Sequence, residues 1–531
     1  MKSVRRHIPA LALLSAATAL FSPGLSAAAD RPMVIARHLD VNSMDPQRGF
    51  CDTCQVYLNA AYQTLVTLGL DNKTVEPLIA ERWEVNSDNT EFTFHIDPRA
   101  KFATGRAIEA KDIKWSMDRL RHLKSDSSFL VSSVKEVEVV DPRTAKVIMS
   151  APNSEFIGAL TAGFTAIVDS EVASAAGAKS DEQAAATDQA ESWFQSHSAG
   201  SGPYVLESYA ADSEIRLARN NNYWLEKPKV GEVVIQESAD AVSQAQMLMS
   251  GSADIATQVD PETAKSLNSD DVAADIIPSY NYLYVAFSPG AAGNKVPLSK
   301  EVRQAIAYAI DYQGLIDFTV GGQGKLQASP FPNGFPGTKD LPMPAQDLDK
   351  AKKLLADGGL ADGFELDATV ASINIFGVDL VVLMQKVQQD LARVNIKLNL
   401  QPVAGSVWRE QVVDPGIPFT ARFYSPDYFG SAQYVQFFGM IQDSFWQTRA
   451  SGKGKVDLVN PKESELLAQA MAASGEARET LYREIALQLI DDRIIIPVVS
   501  TNMVLAYRKD VAGMHYSACC NLKIGALSFK E

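Results

Sequence analysis

Two cysteine pairs are the first residues of this 531-residue chain whose type and spacing invite a chemical reading. Cys51 and Cys54 are separated by Asp52 and Thr53, and Cys519 and Cys520 are adjacent near the C-terminus. A Cys-x-x-Cys at a helix start is the arrangement of a thiol-disulfide oxidoreductase, because the positive end of the helix dipole stabilises a thiolate. Gln55 to Leu65 supplies such a helix, with Val56, Ala60, Ala61 and Leu65 apolar. The strand signals that surround a redox motif of that kind are missing nearby. Structural disulfides are the second reading. A four-cysteine zinc site is the third, although adjacent cysteines fit a tetrahedral cage poorly. Cys51, Cys54, Cys519 and Cys520 are thus disulfide candidates, with an oxidoreductase using Cys51 and Cys54 as the alternative.

The other chemical segment is Tyr424-Ser425-Pro426-Asp427-Tyr428-Phe429-Gly430, which puts a carboxylate just beyond the strand-like run Phe419 to Tyr424. Taken alone, Asp427 after Pro426 reads as a turn residue. Other motifs for turnover are mostly absent. Gly321-Gly322-Gln323-Gly324-Lys325 is too short for a phosphate-binding loop and lacks the following Ser or Thr. His38, His95, His122, His197 and His515 show no metal-ligand spacing. There is no His-Glu-x-x-His helix and no Gly-x-Ser-x-Gly elbow. Nothing in these residues supports hydrolysis or redox turnover on its own, and neither a metal site nor a cofactor is expected.

An α/β scaffold must position these groups. Phe364 to Val370 alternates apolar and polar residues, Ala371 to Phe376 reads as a loop, and Val378 to Val394 has a helical stripe. Ile396 to Leu400 alternates again, which completes a βαβ unit with parallel strands. Ile494 to Val499 reads as a buried strand, and Glu463 to Ala473 and Glu476 to Asp491 as helices. Lys300 to Ile310 is a helix whose apolar stripe packs in a core, capped by Ser299. Asp347 caps another, which Gly358-Gly359 ends. Ser170 to Ala190, rich in Ala, Ser and Gln, reads as a mobile surface excursion.

Length and composition set outer limits. The chain is too long for one core, so two or more domains are expected. Lys2, Arg5 and Arg6, the apolar run Ile8 to Phe21, and Ser26-Ala27-Ala28-Ala29 before Asp30 form a secretory signal with cleavage near Ala29. The run is shorter than the roughly 20 residues that span a bilayer. No Cys follows it, so lipid anchoring is not expected. The formal net charge of −15 argues against nucleic acid and anionic membranes as partners.

A series of short signatures runs through this frame. Glu76-Pro77-Leu78-Ile79-Ala80-Glu81-Arg82-Trp83 comes first, then Phe92-Thr93-Phe94-His95-Ile96 and Lys101-Phe102. Gly200-Ser201-Gly202-Pro203-Tyr204, Asn222-Tyr223-Trp224, and Val302-Arg303-Gln304-Ala305-Ile306 running to Ala309-Ile310-Asp311 follow. In this order they resemble the family 5 solute-binding proteins of bacterial ABC importers, which carry peptides, opines, nickel chelates and some oligosaccharides. Thr104-Gly105-Arg106-Ala107 departs from the family's Asp-Gly-x-Pro turn. The resemblance implies a two-lobed, hinge-closing periplasmic binding protein of type II with an inserted domain. Lobe I takes residues 30–58, 201–281 and 498–531, the accessory domain 59–200 and lobe II 282–497, with crossings near Asn281 and Pro497. It also implies a monomer that delivers an amine-containing solute, such as a dipeptide or oligopeptide, to ABC permease subunits. An opine or oligosaccharide receptor is the alternative.

The resemblance carries over to residues. Asp427-Tyr428 match the family's Trp-x-x-Asp-Tyr segment, whose Asp pairs with the ligand's α-ammonium, with Phe423 and Tyr424 where the Trp is expected. The Arg that clamps a carboxylate in dipeptide-binding relatives is missing from Ala371 to Phe376, where Asn374 stands, so Arg409 or Arg422 takes that role or the ligand is not a simple dipeptide. Trp408, Tyr424 and Tyr428 suit apolar or sugar-like faces, and Tyr280, Asn281 and Gln55 are further contact candidates. With both chain ends in lobe I, bridges between the two cysteine pairs are implied. The unliganded cleft, Asp427 included, is expected to be open to water.

Overall fold

A computed structural model of the protein describes residues 31–518 and 520–530. The secretory-signal reading and Cys519 lie outside these residues. Ten strands form one mixed sheet: β1 Met33–Arg37, β2 Tyr204–Ala210, β3 Glu214–Arg219, β4 Glu232–Glu237, β5 Ile255–Ala256, β6 Val272–Phe287, β7 Phe364–Ala371, β8 Ile396–Val403, β9 Phe419–Tyr424 and β10 Ile495–Arg508. Their spatial order is β8-β7-β9-β6-β10-β5-β1-β4-β3-β2. The long antiparallel strands β6 and β10 run through the middle and belong to both halves. Their register breaks between Pro278 and Tyr282, where Ser279, Tyr280 and Asn281 stand opposite Thr501. A bulge of this kind bends the strand. The crossing on β10 therefore lies beyond Pro497, which still pairs with Tyr284 inside the second half.

Each half has its own apolar core. In one, helix Lys300–Ala309 presses Val302, Ala305, Ile306 and Ala309 against Leu283, Val285 and Phe287 of β6. Ser299 accepts a hydrogen bond from the N–H of Val302 and starts that helix. β7 and β8 pair in parallel from Phe364↔Ile396 to Ala371↔Val403, with helix Leu380–Ala392 as the crossover. Asp379 starts the crossover helix by accepting from the N–H groups of Val381 (2.7 Å) and Val382 (3.1 Å). The segment read as a loop after β7 carries a small hairpin, Asn374–Ile375 against Val378–Asp379. In the other half, Met33, Ile35, Val233 and Ile235 pack on helix α1, Asp52–Ala61. Gly200 and Gly202 cross the end of α1 so closely that a Cβ would lie 2.1 Å from the Ala61 carbonyl oxygen or 2.4 Å from that of Ala60. This approach accounts for the Gly-Ser-Gly signature.

Between β1 and β2 the chain builds a separate four-stranded antiparallel sheet, in the order Ala80–Val85, Glu91–Ile96, Thr144–Met149, Val134–Asp141. Helix Ala110–Leu123 packs Ile113, Met117 and Leu120 into its core beside Phe92, Phe94 and Phe102. Arg106, in the turn that departs from the family pattern, ion-pairs with Asp112 and Asp169, each at 2.7 Å.

The stretch 170–190 is not the excursion its composition implied. It folds into short helices, Ser170–Ala175 and Ala184–Thr187. Asp188 is fixed by Arg119 at 2.8 Å and Arg48 at 2.9 Å. Burial opposes ionisation of Asp188, but the Arg119 guanidinium overrides it and holds the carboxyl down at about 2.

The cysteine expectation also needs correction. Cys51 and Cys54 bond to each other, so neither reaches the C-terminal pair. Cys520 is buried against Leu68, Met503 and Leu505. α1 begins three residues earlier than its apolar pattern indicated, because Cys51 Sγ accepts from the Cys54 N–H at 2.9 Å. The chain ends still meet in one half through polar contacts: Asp52 accepts from Arg37 on β1 and from Asn521 near the C-terminus.

Candidate functional site

The start of α1 and the carboxyl end of β9 face each other across the gap between the halves. Between them lies a cavity of about 210 Å³. Phe50, Cys51, Asp52 and Gln55 form one wall. Trp408 and Arg409, from helix α2 (Gly405–Val413), join Arg422, Phe423, Tyr424 and Asp427 in the facing wall. Phe437, Phe445 and Arg449 close one side, together with Asp126 and Phe164 of the inserted segment. β9 is held by β6 in the register Tyr284↔Arg422 and Tyr282↔Tyr424, so Arg422 and Tyr424 lie on one face of the sheet.

Asp427 sits at the centre of the contact between the halves. Gln55 Nε2 donates to its Oδ1 at 2.9 Å and the Tyr424 hydroxyl to its Oδ2 at 3.0 Å. The residue is 2 % exposed, so the expectation of a carboxylate open to water fails. Further contacts close the gap: Asn374 Nδ2 donates to the Gln258 carbonyl at 3.2 Å, and the rings of Phe50 and Phe437 lie 5.6 Å apart. Burial raises the Asp427 carboxyl to about 7, against the two hydrogen bonds that favour its charge. Gln55 Oε1 is buried and has no hydrogen-bond partner among the described residues. A donor placed in the cavity would find two acceptors side by side.

The loop is set by residues that the sequence reading did not single out. Gln433 Oε1 accepts from the Asp427 N–H at 2.8 Å, while its Nε2 donates to the carbonyls of Tyr428 (2.5 Å) and Gly430 (2.8 Å). Glu155 of the inserted segment accepts from the N–H of Ala432 at 3.0 Å and from the Tyr428 hydroxyl at 3.2 Å. Burial raises the Glu155 carboxyl, with its hydrogen bonds acting in the opposite sense.

Of the nine residues picked for ligand contact, Asp427, Tyr424, Phe423, Trp408 and Gln55 line the cavity. Trp408 is steadied by its indole N–H, which donates to Thr420 at 2.8 Å. The other four lie elsewhere. Tyr428 is turned toward Glu155, and Asn374 lies in the separate contact with Gln258. Tyr280 packs on Phe335 and Phe429, and Asn281 donates to Asn521 at 2.9 Å. Phe50, Phe437, Phe445 and Arg449 were missed. The adjacent aromatics Phe437-Phe438 and Phe445-Trp446 were the available signal.

Comparison with known proteins gives this geometry a lineage. The chain is similar to the probable D,D-dipeptide-binding periplasmic protein DdpA of Escherichia coli (strain K12), at 24% identity over 519 residues, 95% of each chain. Its fold is similar to that of the dipeptide binding protein from Pseudoalteromonas sp. SM9913 in complex with Met-Leu (TM-score 0.83, 17% identity, 94% of this chain and 100% of that one). It is also similar to that of AgaA from A.tumefacien R10 in complex with agropinic acid (TM-score 0.78, 20% identity, 94% and 99%). The architecture is thus the α/β periplasmic binding protein fold. The profile described as bacterial extracellular solute-binding proteins, family 5 Middle, matches residues 74–444. Its members are receptors rather than enzymes, which sets aside the oxidoreductase reading of Cys51 and Cys54. With the family profile over most of the chain, and a cavity between two halves of one sheet, this protein belongs to the family 5 bacterial extracellular solute-binding proteins.

Proposed function

We propose that this receptor of an ABC importer captures a small solute through its amine, which lodges between Asp427 and Gln55, and hands it to the permease subunits of the transporter. The carrying observation is the pairing of the buried Asp427 carboxyl with the unpartnered Gln55 Oε1 in one cavity between the two halves. An ammonium has three donors and no acceptor, and it supplies the counter-charge that a buried carboxylate needs. The aromatic walls of Phe50, Trp408, Tyr424 and Phe445 supply contact area for the rest of the solute. Names of two relatives agree with this chemistry: a probable D,D-dipeptide-binding periplasmic protein and a dipeptide binding protein in complex with Met-Leu.

On this reading the two halves of the sheet act as the lobes, with the crossing on β10 moved from Pro497 to the register break, which serves as the hinge. Solute bridging both walls raises the closed population, and the permease reads that state. The protein acts as a monomer in the periplasm after loss of its first 29 residues.

Calorimetry with short peptides and imino-diacids, each beside its N-acetylated counterpart, tests the amine subsite. Free amines are expected to bind and acetylated ones to lose roughly 30-fold or more. Equal binding of the two would remove the amine from the account.

A further inference from the structure

Positive charge gathers in one wall of the cavity without being answered. The chain as a whole is acidic, with a formal net charge of −15, yet Arg409, Arg422 and Arg449 all line this cavity. Arg449 has partners: it lies 3.5 Å from Asp126 and donates to the Phe445 carbonyl at 2.9 Å. The cavity acid Asp52 is likewise matched, by Arg37. Arg422 is different. Its guanidinium stacks 4.1 Å from the Trp408 ring centroid and 5.0 Å from that of Phe423. Among the described residues its side chain makes no ion pair and no hydrogen bond. Arg409, next to Trp408 on α2, has no ion pair among them either.

A half-buried guanidinium whose five donors find no protein oxygen among the described residues is left to bond with water or with the oxygens of a solute. Desolvation lowers the Arg422 pKa; Tyr284 and Asp40 oppose this, and the like charge of Arg409 adds to it. The remaining cavity acid, Asp427, is held up at about 7 and so carries only part of a charge at neutral pH. Counting the charges that face the cavity, with Arg449–Asp126 and Arg37–Asp52 set aside as matched pairs, leaves two cations against a partly ionised carboxyl.

We propose that Arg422, with Arg409 beside it, is an anion-recognition subsite, and that the solute carries more acidic groups than basic ones: an amine with two carboxylates rather than a simple zwitterion. The proposal rests on the amine reading of Asp427 and Gln55. Two planar carboxylates match two guanidinium forks, and stacking on Trp408 fixes the plane of the Arg422 fork. Acidic dipeptides and imino-diacids share this chemistry.

Isosteric probes separate the possibilities. Calorimetry is run with L-alanyl-L-glutamate against L-alanyl-L-glutamine, and with an N-(1-carboxyethyl) amino acid against its monoamide. The dianionic member of at least one pair is expected to bind roughly 30-fold or more tightly than its neutral partner, and Arg422→Gln is expected to erase that preference. Which pair responds tells peptide from imino-diacid. Binding of the neutral member as tightly as its dianionic partner in every pair that binds overturns the proposal, as does the absence of binding by all four at millimolar concentration. Melting of the unliganded protein is a second readout, independent of any probe. Stacking on Trp408 and Phe423 is the contact that Gln gives up, so Arg422→Gln should melt close to the wild-type temperature, and a large drop in melting temperature would make Arg422 a structural residue. N-acetylated forms of the same probes separate this proposal from the amine reading. If acetylation costs nothing while the preference for the dianion remains, only the amine reading fails.

Discussion

Replacing Asp427 with Asn should weaken an amine-bearing solute roughly 30- to 5000-fold while making the unliganded protein more stable in mild alkali. The first effect comes from removing one member of a desolvated charge pair, which typically costs about 2–5 kcal/mol. The second follows from the carboxyl being raised to about 7 by burial. A carboxyl whose folded-state pKa lies above its unfolded value contributes stability that is fully present below the unfolded value near 4. That stability is lost as pH rises through the folded value. Asn keeps the shape and cannot ionise, so Asp427→Asn should melt above wild type at about pH 8 and level with it at about pH 4. Gln55 and Tyr424 can still bond to the amide. Binding has the opposite sign. Solute ammonium needs the ionised carboxylate, so wild-type affinity should rise with pH through 7, and Asp427→Asn should lose that dependence. Calorimetry and thermal melting across the pH range check both halves. Unchanged affinity, or a variant destabilised at every pH, would place Asp427 in the fold rather than in the site.

Arg119→Met should be the most damaging change remote from the cavity. Arg119 is fully buried and donates to Asp45 at 2.8 and 2.5 Å, to Gln47 at 2.9 Å, and to Asp188 at 2.8 and 3.2 Å. It ties the first segment, the inserted segment and the stretch 170–190 together. Methionine fills much of the volume but leaves the buried carboxyls of Asp45 and Asp188 to share the partly exposed Arg48, and breaking such a network typically costs about 3–5 kcal/mol. Chemical denaturation followed by tryptophan fluorescence should show an early loss of signal from Trp115 and Trp193, which lie beside this network. A midpoint equal to wild type would mean that the network contributes nothing net.

Local periodicity made much of this architecture readable. The βαβ unit at 364–403 and helix Lys300–Ala309 were legible because each has its period and its caps within a dozen residues. β9 was legible for the same reason, but Asp427 and Tyr424 became candidates only through the family resemblance, since Asp427 taken alone reads as a turn residue. Long-range features were not. β10 runs for fourteen residues to Arg508, but Ser500-Thr501-Asn502 interrupts its apolar run at the register break, so only its first part read as a strand. Gln433 holds the loop by amide hydrogen bonds, which leave no charge or period to notice. Phe50, Phe445 and Arg449 reach the cavity from segments hundreds of residues apart. Cysteine connectivity cannot be deduced from spacing: nothing in the pattern itself favoured Cys51–Cys54 over a bridge to the C-terminal pair. In the stretch 170–190, an unremarkable composition hid Asp188, whose partner Arg119 lies 69 residues away.

Native mass spectrometry of protein purified without denaturation from its own host tests the central claim most directly. The predicted result is a noncovalent adduct of one small molecule per chain, containing an amine and more than one carboxylate, that is released on unfolding and is absent from Asp427→Asn. An adduct retained in full by Asp427→Asn, or one lacking an amine, would contradict the account.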